Sequence, residues 1–279
     1  MPFDAVTQAC ASHLKDLDKP RYIACLFAQP ADQAPLIALH AFHSELSRIR
    51  DSVSEPMLGE IRLTWWREAL DGIVAGQPRR HPVVEALAGP IQDKRLDVTQ
   101  LNAMIDAREG DLYDDAPVDM AAAQDYIRAI GGSLYAQVIA VTGGDEATQE
   151  QGRALGAAAA QLAVVEAVGY HAQRREVHLA VDALEAAGQA PEMLFQGAFT
   201  PGLKATLGKM GTQSLSTLQE SLCLPWSKRQ RAGLAPAILA LISGRDAAKH
   251  DFDPEQPSPP VNVARFIVRA WIYSRFGRL

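Results

Sequence analysis

Ser47 and Asp51 stand four residues apart in a segment whose apolar positions, Leu36, Leu39, Phe42, Leu46 and Ile49, recur at helical spacing. On such a helix His40, Ser44, Ser47 and Asp51 share one narrow polar face, because steps of three and four return to the same side. Periodicity by itself reads this as a solvated flank. Asp51 can equally serve the capping turn Asp51-Ser52-Val53-Ser54 ahead of the next helix. A second ionisable group, Asp106, Arg108, Glu109, Asp111 and Asp115, reads as a charged helix face laced with ion pairs. Arg48, Arg50, Arg174 and Arg175 offer planar guanidinium groups, which pair well with phosphate oxygens and can hold a lipid or phosphate headgroup without a metal. The seven histidines show no ligand spacing apart from His40 and His43, which are three apart and have no further partners. The sequence therefore supplies no metal-ligand set.

The elements that must position these residues are helices. Apolar residues recur at helical spacing almost throughout, and alternation of the strand kind is scarce. The pattern predicts helices at about 3–16, 20–28, 32–51, 55–75, 81–94, 97–113, 119–142, 146–173, 191–222, 227–249 and 261–276. Gly76, Pro78, Gly143-Gly144, Pro191, Pro225 and the run Pro254 to Pro260 fall between periodic segments. Asp97 and Ser227 occupy N-cap positions. Gly131-Gly132 predicts a kink or close packing within 119–142, and Pro201-Gly202 divides 191–222. Trp65 and Trp66 are adjacent and point to different faces, so at least one belongs to the core.

Composition narrows the function. With 27 basic and 33 acidic residues the net charge is −6, which excludes the basic surface that nucleic acid requires. Cys10, Cys25 and Cys223 are scattered without metal or disulfide spacing, consistent with a reducing compartment. Met1-Pro2-Phe3-Asp4 has neither a basic region nor an apolar run, so no signal or transit peptide is expected. No stretch reaches the roughly 20 apolar residues that span a bilayer. The expected location is cytoplasmic. The last helix alternates Arg265, Arg269, Arg275 and Arg278 with Phe266, Ile267, Trp271, Ile272, Tyr273 and Phe276, a composition suited to peripheral contact with the inner membrane.

Several collinear motifs resemble the squalene/phytoene synthase family. Ala41-Phe42 and the polar run ending at Asp51 are similar to its first aspartate-rich motif. Ile61-Arg62-Leu63-Thr64-Trp65-Trp66-Arg67-Glu68-Ala69-Leu70 resembles its arginine-leucine-tryptophan-tryptophan-arginine helix. Ala107 to Leu112 resembles its methionine-aspartate-leucine segment, Tyr126 to Ser133 its small-residue kink, and Gly156 to Leu179 its second aspartate-rich helix. The likeness covers about residues 20–180 and, more loosely, the remainder. It implies an all-α, isoprenoid-synthase-like bundle around a central cavity, forming one domain over 1–279. The phrases His43 to Glu55 and Gly169-Tyr170-His171-Ala172-Gln173-Arg174-Arg175 are similar to a degenerate branch whose members support biogenesis of NADH:ubiquinone oxidoreductase, respiratory complex I. That branch, the alanine-rich composition and the missing presequence point to a bacterial relative.

The family's first motif offers two aspartates four apart for magnesium, a hard cation that takes carboxylate and phosphate oxygens. Here the resemblance places Ser47 and Asp51 at those positions, with Arg48 where another acid is usual. In the second motif Gln161-Leu162 is kept, but Val164 replaces an asparagine and Val168 and Ala172 replace aspartates. Glu166 is not expected to substitute. The resemblance thus places Ser47, Asp51, Asp111, Gln161, Val164, Val168, Arg174 and Arg175 around a substrate cavity, with no catalytic residue and no metal. The expected function is non-catalytic support of complex I assembly, with complex I subunits or assembly intermediates as partners and an isoprenoid or lipid as ligand. The alternatives are a magnesium-dependent prenyltransferase joining two prenyl diphosphates, or a module that binds lipid or prenyl diphosphate.

Overall fold

The structure is a computed structural model that describes residues 3–113 and 116–279; Asp115 lies outside the described residues. No strand occurs among them. The first helices are α1 (Ala5–Leu17), α2 (Lys19–Cys25), α3 (Pro30–Ser47), α4 (Pro56–Val74), α5 (Pro82–Gln92) and α6 (Val98–Ala107). The middle of the chain forms α7 (Met120–Ile127), a π turn at Arg128–Gly132, α8 (Ser133–Val141), α9 (Glu146–Glu166) and α10 (Val168–Gln173). The remainder forms α11 (Val181–Ala186), α12 (Pro191–Phe195), α13 (Pro201–Leu222), α14 (Lys228–Gly233), α15 (Ala237–Ala247) and α16 (Val263–Phe276).

Local chemistry sets most helix starts. Asp97, Asp119, Asp145 and Ser227 accept hydrogen bonds from the free amides of the first turns of α6, α7, α9 and α14. Pro30, Pro56, Pro82, Pro191 and Pro201 stand in first turns, where the missing N–H costs nothing. α9 is the axle. It packs on α8, α13, α15 and the π turn, while α1, α3, α5 and α4 form a neighbouring layer. One connected apolar core joins the two groups, and it holds Phe42 edge-on to Trp66 with ring centroids 5.3 Å apart.

Three predicted helices stop early, each for a local reason. The segment 32–51 ends at Ser47, after which the Arg48 and Ile49 amides turn back to carbonyls three residues earlier, Glu45 and Leu46 (both 3.2 Å), and the chain tightens into a 3₁₀ path. Asp51 therefore lies in a separate 3₁₀ turn, Arg50–Ser52, and not on the Ser47 helix face. The segment 97–113 ends at Ala107, with Gly110, a poor helix former, opening a 3₁₀ turn. The segment 146–173 breaks at Ala167, where Gly169 lets the Pro254 carbonyl approach so closely that a Cβ would overlap it. The helix α11 falls where no helix was expected. The kink at Gly131-Gly132 is the π turn.

Candidate functional site

An open cavity of about 460 Å³ lies against α9. Its apolar lining comes from Ala159, Ala160, Ala163 and Val164 of α9, from Ile130 and Leu134, and from Leu239, Ala240 and Val261. Small side chains on α9 make this space, since a 3.6-residue period brings 156, 159, 160, 163 and 167 to one side. The polar lining comes from elsewhere. Arg21, His43, Ser47, Arg50 and Asp51 enter from α2, α3 and the 3₁₀ turn. Arg108, Asp111, Tyr126, His171, Glu176 and His178 enter from the connections around α6, α7 and α10.

The second of these groups forms a continuous chain of contacts that reaches Asp51 through Arg174. Arg108 donates to Asp111 Oδ2 (2.8 Å) and to the Tyr126 hydroxyl (3.0 Å). His178 stacks on the Tyr126 ring at 5.7 Å and places Nδ1 3.8 Å from Asp111 Oδ1. The His171 ring lies 4.5 Å from His178, and its Nδ1 is 2.9 Å from Glu176 Oε2. Arg174 Nε donates to Glu176 Oε1 (3.2 Å), and its terminal nitrogen pairs with Asp51. Burial pushes the His178 imidazole below its ordinary pKa, against the raising influence of Asp111. His43 accepts a hydrogen bond at Nδ1 from Arg21 (3.1 Å). Burial first, and then the Arg21 charge, hold its pKa well below normal. His40 is fully buried with both ring nitrogens unpaired, and burial keeps it neutral as well.

Of the residues read from the sequence, Ser47, Asp51, Asp111 and Val164 line the cavity, and Arg174 reaches its rim through Asp51. Three do not. Gln161 faces a groove on the other side of α9, among Gln124, Ala158 and Gln213. Val168 is buried behind the wall with Leu179 and Leu194, because the break at Ala167 shifts the phase of α10. Arg175 lies 4.7 Å over the Phe195 ring. Sequence reasoning missed Arg21, His43, Tyr126, Glu166, His171, Glu176 and His178. A legible signal existed only for Arg108–Asp111, an i,i+3 pair of opposite charge.

Glu166 is the carboxyl on the apolar part of the lining, and it accepts a hydrogen bond from Ser243. Desolvation raises its pKa despite that bond. A carboxyl whose folded pKa lies above its unfolded value costs stability once pH exceeds the unfolded value, and costs nothing well below it. Glu166→Gln, which keeps the acceptor, should therefore raise the melting temperature at pH 7–8. The gain should vanish near pH 4, about the ordinary Glu value. Thermal melts of the two proteins across that range check it.

The fold class follows from solved structures. A dehydrosqualene synthase in complex with ligand superposes with a TM-score of 0.80 over 97% of this chain and 96% of that one, at 17% identity. The squalene synthase HpnC from Alicyclobacillus acidocaldarius gives 0.76 over 89% and 95%, at 14% identity. This is the all-α isoprenoid synthase fold. The squalene/phytoene synthase family model matches residues 14–265, and the chain belongs to that family. Among curated relatives, the mouse (Mus musculus) NADH dehydrogenase (ubiquinone) complex I assembly factor 6 is 28% identical over 89% of this chain and 76% of its own length. Its human counterpart is 25% identical over the same shares. A phytoene synthase from Thermus thermophilus is 29% identical over 62% of each chain.

The fold family implies magnesium, and the donor set does not fit it. Ser47 Oγ is committed to the Ser44 carbonyl, Asp51 to Arg174, and Asp111 Oδ2 to Arg108. The positions expected to answer them are Val164, Val168 and Ala172, all buried and apolar. At the cavity wall this leaves an alkyl group, Val164, where a bridged cation would have to be held, while Val168 and Ala172 lie behind the wall, and an unpaired diphosphate charge there is strongly unfavourable. No reaction step through magnesium follows from this site.

Proposed function

We propose that this chain is a non-catalytic member of the family that supports assembly of respiratory complex I and retains its cavity for an isoprenoid or lipid-like amphiphile. The observation that carries the reading is the state of the mouth carboxylates: Asp51 and Asp111 are each neutralised by an arginine of this chain. That arrangement leaves the fold and the cavity and removes the means of ionising a diphosphate. The assembly role rests on the relatives named complex I assembly factor 6. The cavity's volume falls within the roughly 300–1,000 Å³ of small-molecule sites.

Its partners are complex I subunits or assembly intermediates, met at the cytoplasmic face of the inner membrane. No helix among the described residues is long and apolar enough to cross a membrane. Peripheral contact is supported by α16, whose Val268, Trp271 and Phe276 are 57%, 55% and 57% exposed beside Arg269 and Arg275.

Deleting the gene should lower assembled complex I on native gels and NADH:quinone activity in membranes, and the intact gene should restore both. Normal complex I in the deletion strain rejects the reading. Purified chain given farnesyl diphosphate and magnesium should release no diphosphate above background; release would favour the prenyltransferase.

A further inference from the structure

The turn after α10 gathers three metal-type ligands that sequence spacing does not reveal. The Glu176 amide donates to the His171 carbonyl (2.9 Å) and the Arg175 amide to the Ala172 carbonyl (3.1 Å). Arg175 takes the left-handed conformation, φ +60°. This is the reversal that closes many helices, usually with glycine at the left-handed position. It brings the chain back over its own last turn. In the extended stretch that follows, alternate side chains share a side. Glu176 and His178 therefore return towards His171, and Val177 goes into the core.

One ligand atom from each of His171, Glu176 and His178 lies within 4.8 Å of the others. We propose that these three residues bind a divalent transition metal ion such as zinc at the polar side of the cavity. The donor set is two imidazoles and a carboxylate. Imidazole suits zinc and iron, whereas magnesium prefers oxygen alone. The neighbouring groups are placed as outer-shell partners. Arg174 holds Glu176 Oε1, while Oε2 lies 2.9 Å from His171 Nδ1, a contact whose shared proton the metal would displace. Asp111 Oδ1 stands 3.8 Å from His178 Nδ1, longer than a hydrogen bond but near enough to orient the ring by charge, the position a carboxylate partner of a ligating imidazole takes. The cavity gives an entry path and room for a water or a ligand oxygen in the open coordination position. The site does not depend on the complex I reading.

A second cluster provides the contrast. His13, Glu45 and His81 also come within 4.8 Å of one another. There His81 Nδ1 accepts the Val83 amide (3.3 Å) as the N-cap of α5, so the neutral ring carries its proton on Nε2. A protonated nitrogen donates and cannot ligate, and that cluster is a hydrogen-bonded one.

The test is calorimetric titration of chelator-treated full chain with zinc chloride. One equivalent should bind, and His171→Gln and His178→Gln should each weaken it at least 100-fold. Asp111→Asn should weaken it about 10–100-fold. His13→Gln and His81→Gln should leave it unchanged. Circular dichroism without zinc should show all five variants folded as the parent. Cobalt chloride added to the unmodified chain provides a readout that needs no variant: visible bands of a four- or five-coordinate site, removed by one equivalent of zinc. The proposal is overturned if zinc fails to bind stoichiometrically, if binding survives loss of both His171 and His178, if His13→Gln abolishes it, or if the cobalt bands are missing.

Discussion

Replacing Asp32 by alanine should destabilise the chain by about 3 kcal/mol, a larger loss than removal of any ion pair at the cavity mouth. Asp32 stands in the first turn of α3 and is fully buried. Arg229 grips it in bidentate fashion, Nε to Oδ2 at 2.7 Å and Nη2 to Oδ1 at 2.6 Å. Arg95 adds a bond to Oδ1 at 2.6 Å. Both guanidinium groups also donate to the Val141 carbonyl at the end of α8, and Arg95 to that of Ala31. One carboxylate thus ties together the start of α3, the end of α8, the loop after α5 and the helix α14. Breaking a buried pair by removing one partner costs roughly 3–5 kcal/mol, because the remaining charge is stranded. The lower end applies here, since Arg95 and Arg229 are partly exposed and water can reach them once released. For a chain of this length the melting temperature should fall about 5–8 °C. Added salt should change the difference little, because screening hardly reaches a buried carboxylate. A fall below 2 °C, or one erased by 0.5 M salt, would show that the two arginines are satisfied by solvent alone.

The Asp32 network also shows what a single sequence conceals. Arg229 is 197 residues away from Asp32, and nothing in its own neighbourhood distinguishes it from a surface arginine. Helices were legible because their apolar period repeats over many residues, and caps such as Asp97 and Ser227 because they act within three. Breaks were less legible. α3 ends after Ser47 where the Arg48 and Ile49 amides close back on carbonyls three residues earlier, Glu45 and Leu46, a tightening that no apolar period announces. The break at Ala167 had the largest consequence for the site. The resemblance places Val168 at the cavity as part of one unbroken second-motif helix; with the helix broken at Ala167, Ala163, Ala167 and His171 stand on the wall in its stead. The pairing of Asp51 with Arg174 crosses 123 residues, and the convergence of His171 with His178 needs a left-handed arginine where glycine is usual. What could be read was the loss of carboxylates. What replaced them depended on turns whose geometry lies outside any periodicity.

Gly156 should tolerate no side chain, and the reason joins stability to the cavity. A glycine inside a helix ordinarily costs about 1 kcal/mol relative to alanine, so Gly156→Ala taken alone should stabilise α9. At this position the backbone of α9 meets the π turn directly. A Cβ on Gly156 would overlap the Gly131 carbonyl and stand 2.9 Å from the Tyr135 Cβ, while a Cβ on Gly131 would overlap the Gly156 carbonyl. Backbone pressed on backbone cannot relax by changing rotamer. Overpacking of this kind costs about 1–3 kcal/mol even where side chains can yield. Gly156→Ala should therefore lose stability despite its better helix propensity, and Gly156→Val should lose about 3 kcal/mol, with a β-branched penalty added. Gly110, which has nothing within 4 Å of an added Cβ, should accept alanine without loss. Thermal or urea denaturation of the three variants decides it. Gly131 and Gly156 both line the cavity, so the contact that fixes the π turn also sets the cavity's floor. If Gly156→Val melts with the parent, the two backbones can separate cheaply, and the cavity's shape must be held by the side chains around it.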